Sequence, residues 1–296
     1  MAVVIAYFLI YVVWGSTYFF IGVCLRDFPP FVLGAVRFCV AGALLLAVCK
    51  WRGERLLNRR LIIRSAVCGV VLLFVDQAVI TFAQRFVSSS LVAIVASSTA
   101  VWIMLLDVPM WRRNFKSVST VLGMVLGFAG VALLYVEQLY SEAHPGAHSE
   151  YGVLILVGGC VSWACGTLYS KYRCSVEEDG DGLAGAAWQM AAAGIVFAVC
   201  ACVTGGFDDV NVSSVSTLSW LSLAYLITFG SLMAYTAYVW LLKVRPATEV
   251  ATHAYVNPVV AVVLGAGIGG EEVTAVQLAG LAVILLSVMS VNRRTK

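Results

Sequence analysis

Charge is scarce in this chain. Asp, Glu, Lys and Arg make up 12% of its 296 residues, about half the share that soluble domains carry, and that scarcity excludes a soluble globular domain. Histidine occurs three times, at His144, His148 and His253, too few for a metal-based or histidine-based catalytic set. There is no HExxH, no pair of intramembrane aspartates and no serine inside a recognised nucleophile motif, so an intramembrane enzyme lacks its parts and no cofactor is expected. The nine cysteines fall singly, without paired or metal-ligand spacing. No glycine-rich segment ends in Gly-Lys-Ser/Thr, so ATP is not the energy source. A channel would need a ring of repeated polar groups, and two unlike halves offer none.

What the chain has is apolar length. Hydrophobic residues reach 61% and the mean hydropathy is +0.93. A membrane span needs about 20 mostly apolar residues, and ten such windows follow one another: roughly 2–25, 30–50, 62–84, 88–110, 117–136, 150–172, 183–204, 217–242, 247–268 and 272–291. The first is too long, and too poor in preceding basic residues, for a signal peptide. The sequence therefore predicts an all-α membrane protein of ten transmembrane helices. Lys and Arg mark the cytoplasmic side. All but three of the 19 fall in or beside the loops after spans two, four, six and eight or in the C-terminal tail; the exceptions are Arg26, Arg37 and Arg85. Both termini are expected in the cytoplasm, and the pI near 8.4 reflects this topology rather than affinity for nucleic acid.

The second half repeats the order of the first. Trp14 answers to Trp163, and "AVRFCVAG" (Ala35 to Gly42) to "AWQMAAAG" (Ala187 to Gly194), which sets Arg37 opposite Gln189. Five spans per half force the second half to enter from the opposite side, the inverted repeat that many secondary transporters use to build a midplane site. The repeats are read as residues 1–140 and 150–296.

Several polar residues stand where hydrocarbon penalises them. A charge at mid-membrane costs about 2.5–3.5 kcal/mol on insertion scales, yet Arg37 lies in span two and Asp76, followed by Gln77, in span three. Each is seven or eight residues from the outer surface, about 10–12 Å deep, so the two are expected to face the interior and either pair or share a wet cavity. In span nine Glu249, His253 and Asn257 recur every four residues, one stripe of a helix, with Pro258 next as a hinge. Trp14, Trp102 and Trp163 sit at mid-span, away from the interfacial belts, with Tyr235 and Tyr238 in span eight. Each aromatic can line a cavity or pack helices. Thr17 beside Gly15 and Ser16 can bond solute or a neighbouring helix. Gly123 and Gly127 permit close helix contact, within one chain or between two.

"VVWGSTYFFIGV", "FPPFVLGAVRF", "FGSLMAYTAYVWLL" and above all "ATHAYVNPVVAVVLGAGIGGEE" resemble the EamA-type family of the drug/metabolite transporter superfamily, over nearly the whole chain. The likeness implies export of small organic metabolites such as amino acids by alternating access, with mid-span aromatics of both repeats, Trp102 and Trp163 among them, around a central cavity that Asp76 and Gln77 also line. The expected substrate-binding set is Trp14, Thr17, Arg37, Asp76, Gln77, Trp102, Trp163, Gln189, Tyr235, His253 and Asn257. A multidrug or cationic-compound exporter coupled to protons is the alternative. Expected partners are a small solute and the lipid bilayer, in a bacterial inner membrane, as monomer or homodimer. This chain departs from the family where its first repeat has Ala100 in place of a proline and "MWRRNF" in place of a glycine-glutamate pair.

Overall fold

The computed structural model describes residues 1–83, 95–141, 149–174, 182–269 and 274–292, and among them there are helices and turns but no strand. In chain order the helices are α1 (Ala2–Cys24), α2 (Pro30–Trp51), α3 (Arg59–Ala83), α4 (Val95–Leu106), α5 (Trp111–Lys116), α6 (Val118–Ser141), α7 (Ser149–Arg173), α8 (Leu183–Val203), α9 (Thr217–Val244), α10 (Ala247–Val250), α11 (His253–Gly269) and α12 (Ala275–Asn292). Among the described residues six stretches are long and apolar enough to cross a bilayer: α1, α2, α3, α8, α9 and Ala247–Leu264. Val108–Lys116 and Val118–Leu133 make a seventh if counted together, although they meet at 94°.

Local chemistry sets the helix ends. Pro30 opens α2 behind an extended Pro29, since its ring presets a helical φ and the missing N–H has no helical partner there anyway. The Asn58 side chain caps α3 by accepting from the Arg60 amide at 3.0 Å. Ser216 caps α9 by accepting from the Ser219 amide at 3.2 Å, and Asp27 Oδ2 in turn accepts from the Ser216 amide at 3.0 Å and its hydroxyl at 2.7 Å.

Hydrogen bonds from Ser219 and Ser216 hold the Asp27 carboxyl below the usual carboxylate range. A carboxyl lowered on folding stabilises the fold above its unfolded pKa, about 3.9, and loses that contribution as pH falls through its folded value. Wild type should therefore lose more thermal stability between pH 6 and pH 3 than Asp27→Ala does, and parallel melting curves in detergent check this. Asp27 is only half-buried, so the difference will be small.

Two sequence expectations change. "MWRRNF", placed by the sequence in the loop after span four, starts on the last residue of the turn Val108–Met110 and otherwise belongs to α5. The stripe Glu249–His253–Asn257 is interrupted: i→i+3 bonds from Thr252 to Glu249 and from Ala254 to Ala251 mark a turn at Ala251–Thr252, so Glu249 belongs to α10 and the other two to α11. The Gly270-Glu271 pair and Arg85 lie outside the described residues.

Contacts divide the chain into two compact units. The first, Met1–Ala78 with Tyr169–Val244, centres on α2 against α8. Small residues let these backbones touch: a β-carbon on Gly42 would lie 2.6 Å from the Ala191 amide nitrogen, and one on Gly194 would lie 2.5 Å from the Cys39 amide nitrogen. Gly69 of α3 presses on the Gln189 carbonyl of α8. The second unit, Val79–Leu168 with Arg245–Lys296, centres on α6 against α12. Here Gly123 meets Val291, Gly127 meets Tyr255 and Ser287, and Gly130 meets Ile284. Ser287 Oγ donates to the Gly123 carbonyl at 2.7 Å. The close-contact stripe is thus occupied within one chain.

Candidate functional site

Seven of the eleven expected site residues fall in the first unit. Arg37, 7% exposed on α2, donates from Nε to Ser231 Oγ at 2.9 Å and from Nη1 to Gln77 Oε1 at 3.3 Å. Gln77 Nε2 donates to Asp76 Oδ2 at 3.2 Å. The amide therefore bridges the two charges, its carbonyl toward the cation and its NH2 toward the carboxylate. Of the two arrangements the sequence allowed for Arg37 and Asp76, direct pairing is not seen; one side chain intervenes. The Arg37 guanidinium carbon also sits 4.8 Å from the centroid of the neighbouring Phe38 ring, a favourable placement for a cation over an aromatic face.

Wide, π-helical turns adjoin this cluster on three helices: Leu9–Val13 just before Trp14, Val70–Phe74 just before Asp76, and Leu226–Tyr235 around Ser231. Such turns shift the backbone bonding from i+4 to i+5 and tend to occur at functional sites. Within the last of them the Gly230 carbonyl accepts from Trp14 Nε1 at 3.0 Å. The Trp14 ring rests 5.0 Å from Tyr238 and 6.5 Å from Tyr235. Tyr235 Oη donates to Gln189 Oε1, while Gln189 Nε2 is buried without a partner among the described residues. Thr17 is buried, and its hydroxyl donates to the Trp14 carbonyl at 2.6 Å within its own helix, leaving its lone pairs as the part that can serve a ligand.

The remaining four lie in the second unit. Trp163 on α7 is buried with its ring 6.3 Å from that of His253. His253 Nδ1 lies 2.9 Å from the Val250 carbonyl; a carbonyl only accepts, so the proton sits on Nδ1 and Nε2 is the acceptor. Asn257 is buried one turn further along α11, and Trp102 on α4 is half-buried.

Ser231 and the Gly230 carbonyl escaped sequence reasoning. The Gly-Ser pair within an apolar span was the available signal, because it exposes backbone and adds a hydroxyl where neither helps a plain span. Tyr238 was noticed for its depth, but its place in the aromatic group depends on tertiary packing.

The arrangement of the first unit can hold a solute carrying both charge signs. A guanidinium has five N–H donors, and two are used by described residues. Asp76 Oδ1 is likewise unengaged by described residues.

Comparison with known proteins gives the chain its relations. A sequence profile described as the EamA-like transporter family matches residues 1–136 and 150–293. The Uncharacterized inner membrane transporter YedA of Escherichia coli K12 is 33% identical over 297 residues, covering 97% of this chain and 89% of that protein. An uncharacterized transporter of Bacillus subtilis, YvbV, is 26% identical, with 96% and 90% covered. A protein of Salmonella typhimurium named a probable amino-acid metabolite efflux pump is 25% identical, with 96% and 92% covered. A solved crystal structure at 18% identity superposes with a TM-score of 0.78 over 98% of this chain and 96% of its own, a likeness of fold.

Proposed function

The chain belongs to the EamA-like transporter family, and from that premise we propose that it is a secondary carrier of small zwitterionic metabolites, amino acids first among them, working outward by alternating access. Its two repeats, 1–140 and 150–296, form ten crossings related by a twofold axis in the membrane plane, with both termini in the cytoplasm. The contacts of α2 with α8 support this symmetry. Sequence alignment makes Gly42 equivalent to Gly194 and Cys39 to Ala191. Gly42 touches Ala191 and Gly194 touches Cys39, so exchanging the repeats maps each contact onto the other, as in an isologous interface. The partner number falls as the residue number rises, so the two helices run antiparallel, and an axis that exchanges them lies across them.

The observation that carries the function is the relay Arg37–Gln77–Asp76. It supports recognition of a carboxylate by the spare guanidinium donors and of an ammonium by the free carboxylate oxygen, at a spacing set by one amide. The name of the Salmonella relative points the same way. Energy comes from a solute or ion gradient. The aromatic group of Trp14, Tyr235 and Tyr238 in the same unit as Asp76 supports a second reading, proton-coupled export of cationic compounds.

Counterflow in reconstituted vesicles tests the proposal. A labelled amino acid should exchange saturably, with Trp163→Ala and Asp76→Asn each lowering the rate at least tenfold. If no amino acid exchanges and only organic cations move, in exchange for protons, the zwitterion reading fails and the second one stands. If Asp76→Asn exchanges amino acids at the wild-type rate, the relay is structural.

A further inference from the structure

The second unit contains another polar site, lined by none of the residues discussed above as substrate-binding. The segment "WRRNFKS" forms α5 and then Ser117, whose hydroxyl caps α6 by accepting from the Thr120 amide at 3.2 Å and from the Thr120 hydroxyl at 2.8 Å. Having accepted twice, the Ser117 hydroxyl keeps its own proton to donate. Against this end pack Pro246, Thr248 and Glu249 from the start of α10, and Val291 of α12. Together with Asn114 and the solvent-exposed Arg113 they line a half-open cavity of about 80 Å³, about the room of two or three water molecules.

Three features give the cavity a preference. Asn114 lines it, is 4% exposed, and has an Nδ2 that is buried with no partner among the described residues; an unmade bond of this kind costs more than an ordinary bond contributes. The charges at and beside it are two cations to one anion, because Glu249 is paired with Arg245 at 3.8 Å while Arg113 also borders the space. The positive end of the 24-residue α6 opens at Ser117, and such ends favour anions. Water would satisfy Asn114 but leave the excess positive charge. A cation would meet a single carboxylate that is already engaged.

We propose that this cavity is a binding site for a small oxyanion of the phosphate class, free or as the headgroup of an anionic lipid, held by Asn114 Nδ2, the Ser117 and Thr248 hydroxyls and the Arg113 guanidinium. Its lining comes from residues 113–120 and 246–291, one stretch from each half of the sequence, so occupancy ties the two halves together in the state described. The inference is independent of what the protein transports.

Binding is read by thermal shift on the delipidated full-length protein in detergent, at constant ionic strength, with inorganic phosphate, sulfate, chloride and a short-chain phosphatidic acid as probes. Phosphate and sulfate should raise the melting midpoint saturably and chloride should not; a response to the phosphatidic acid alone assigns the site to a lipid headgroup and still supports it. Asn114→Ala and Arg113→Gln should each weaken the apparent dissociation constant about tenfold or more, the value of a hydrogen bond to a charged group. If no probe stabilises beyond the chloride control, or if both variants bind phosphate as wild type does, the cavity holds water and the proposal is overturned. Isothermal titration on wild type keeps the test decisive should either variant fail to fold.

Discussion

Gly69→Ala is expected to leave little folded protein in the membrane fraction. The added methyl would overlap the Gln189 carbonyl oxygen, and the nearest atoms are all Gln189 backbone, so no side chain can swing aside. Relief requires α3 to retreat from α8, and α8 is itself clamped to α2 through Gly42 and Gly194. Overpacking a well-filled interior costs about 1–3 kcal/mol even when side chains can adapt, and here they cannot. At about 2–4 °C per kcal/mol for a chain of this size, the melting midpoint should fall by about 6 °C or more, with loss of the monodisperse peak on size exclusion. Gly22→Ala, where nothing lies within 4 Å of the new carbon, is the control and should melt within about 1 °C of wild type. Equal behaviour of the two variants would mean that α3 does not contact α8 as described.

Arg37→Met should have the largest effect on transport. Methionine fills similar volume and is at ease among apolar residues, but it offers no donor. The variant removes the bonds that Arg37 donates to Gln77 Oε1 and Ser231 Oγ, each worth about 1.5–3 kcal/mol, while removing a charge whose burial was itself costly. Stability should therefore change modestly. Affinity should not: loss of charge-assisted bonds to a carboxylate, about 1.5–3 kcal/mol each, corresponds to roughly a 10–150-fold rise in KM. Counterflow across substrate concentrations measures it. Arg37→Lys should recover only part, since a point charge cannot span Ser231, Gln77 and a carboxylate as a fork does. An unchanged KM in Arg37→Met, with the protein folded, would remove Arg37 from the solute site.

Much of this was legible in the order of residues. Pro29-Pro30 announced the start of α2, and the cost of charge in hydrocarbon announced that Arg37 and Asp76 needed compensation. Gln77, adjacent to Asp76 in sequence, was in the expected set because the family resemblance implies that this part of span three lines the cavity. What could not be read was the intermediary role of its amide. That role depends on a rotamer, and on α2 and α3 being neighbours at that height. The wide turns were equally hidden, because one extra backbone unit in a helical turn changes neither composition nor apolar period. Their consequence, a Gly230 carbonyl free to receive Trp14, appears only with the coordinates. In the stripe of Glu249, His253 and Asn257 the hidden feature was the turn at Ala251–Thr252, which bears no proline or glycine to betray it.

Neither compact unit is a continuous piece of chain. The first joins Met1–Ala78 to Tyr169–Val244, and the second joins Val79–Leu168 to Arg245–Lys296. During synthesis α2 is complete at Trp51 but its closest partner, α8, begins only at Leu183. At about 5–20 residues per second, the ribosome needs roughly 7–26 s to make the intervening 131 residues, 52–182. Through that interval Arg37 has neither Ser231 nor the body of the unit around it, and the nascent helices must be sheltered by lipid or by the insertion machinery. Insertion and final packing are thereby separated in time, and a transcript cut after the first repeat would yield a polypeptide that enters the bilayer yet finds nothing to close upon.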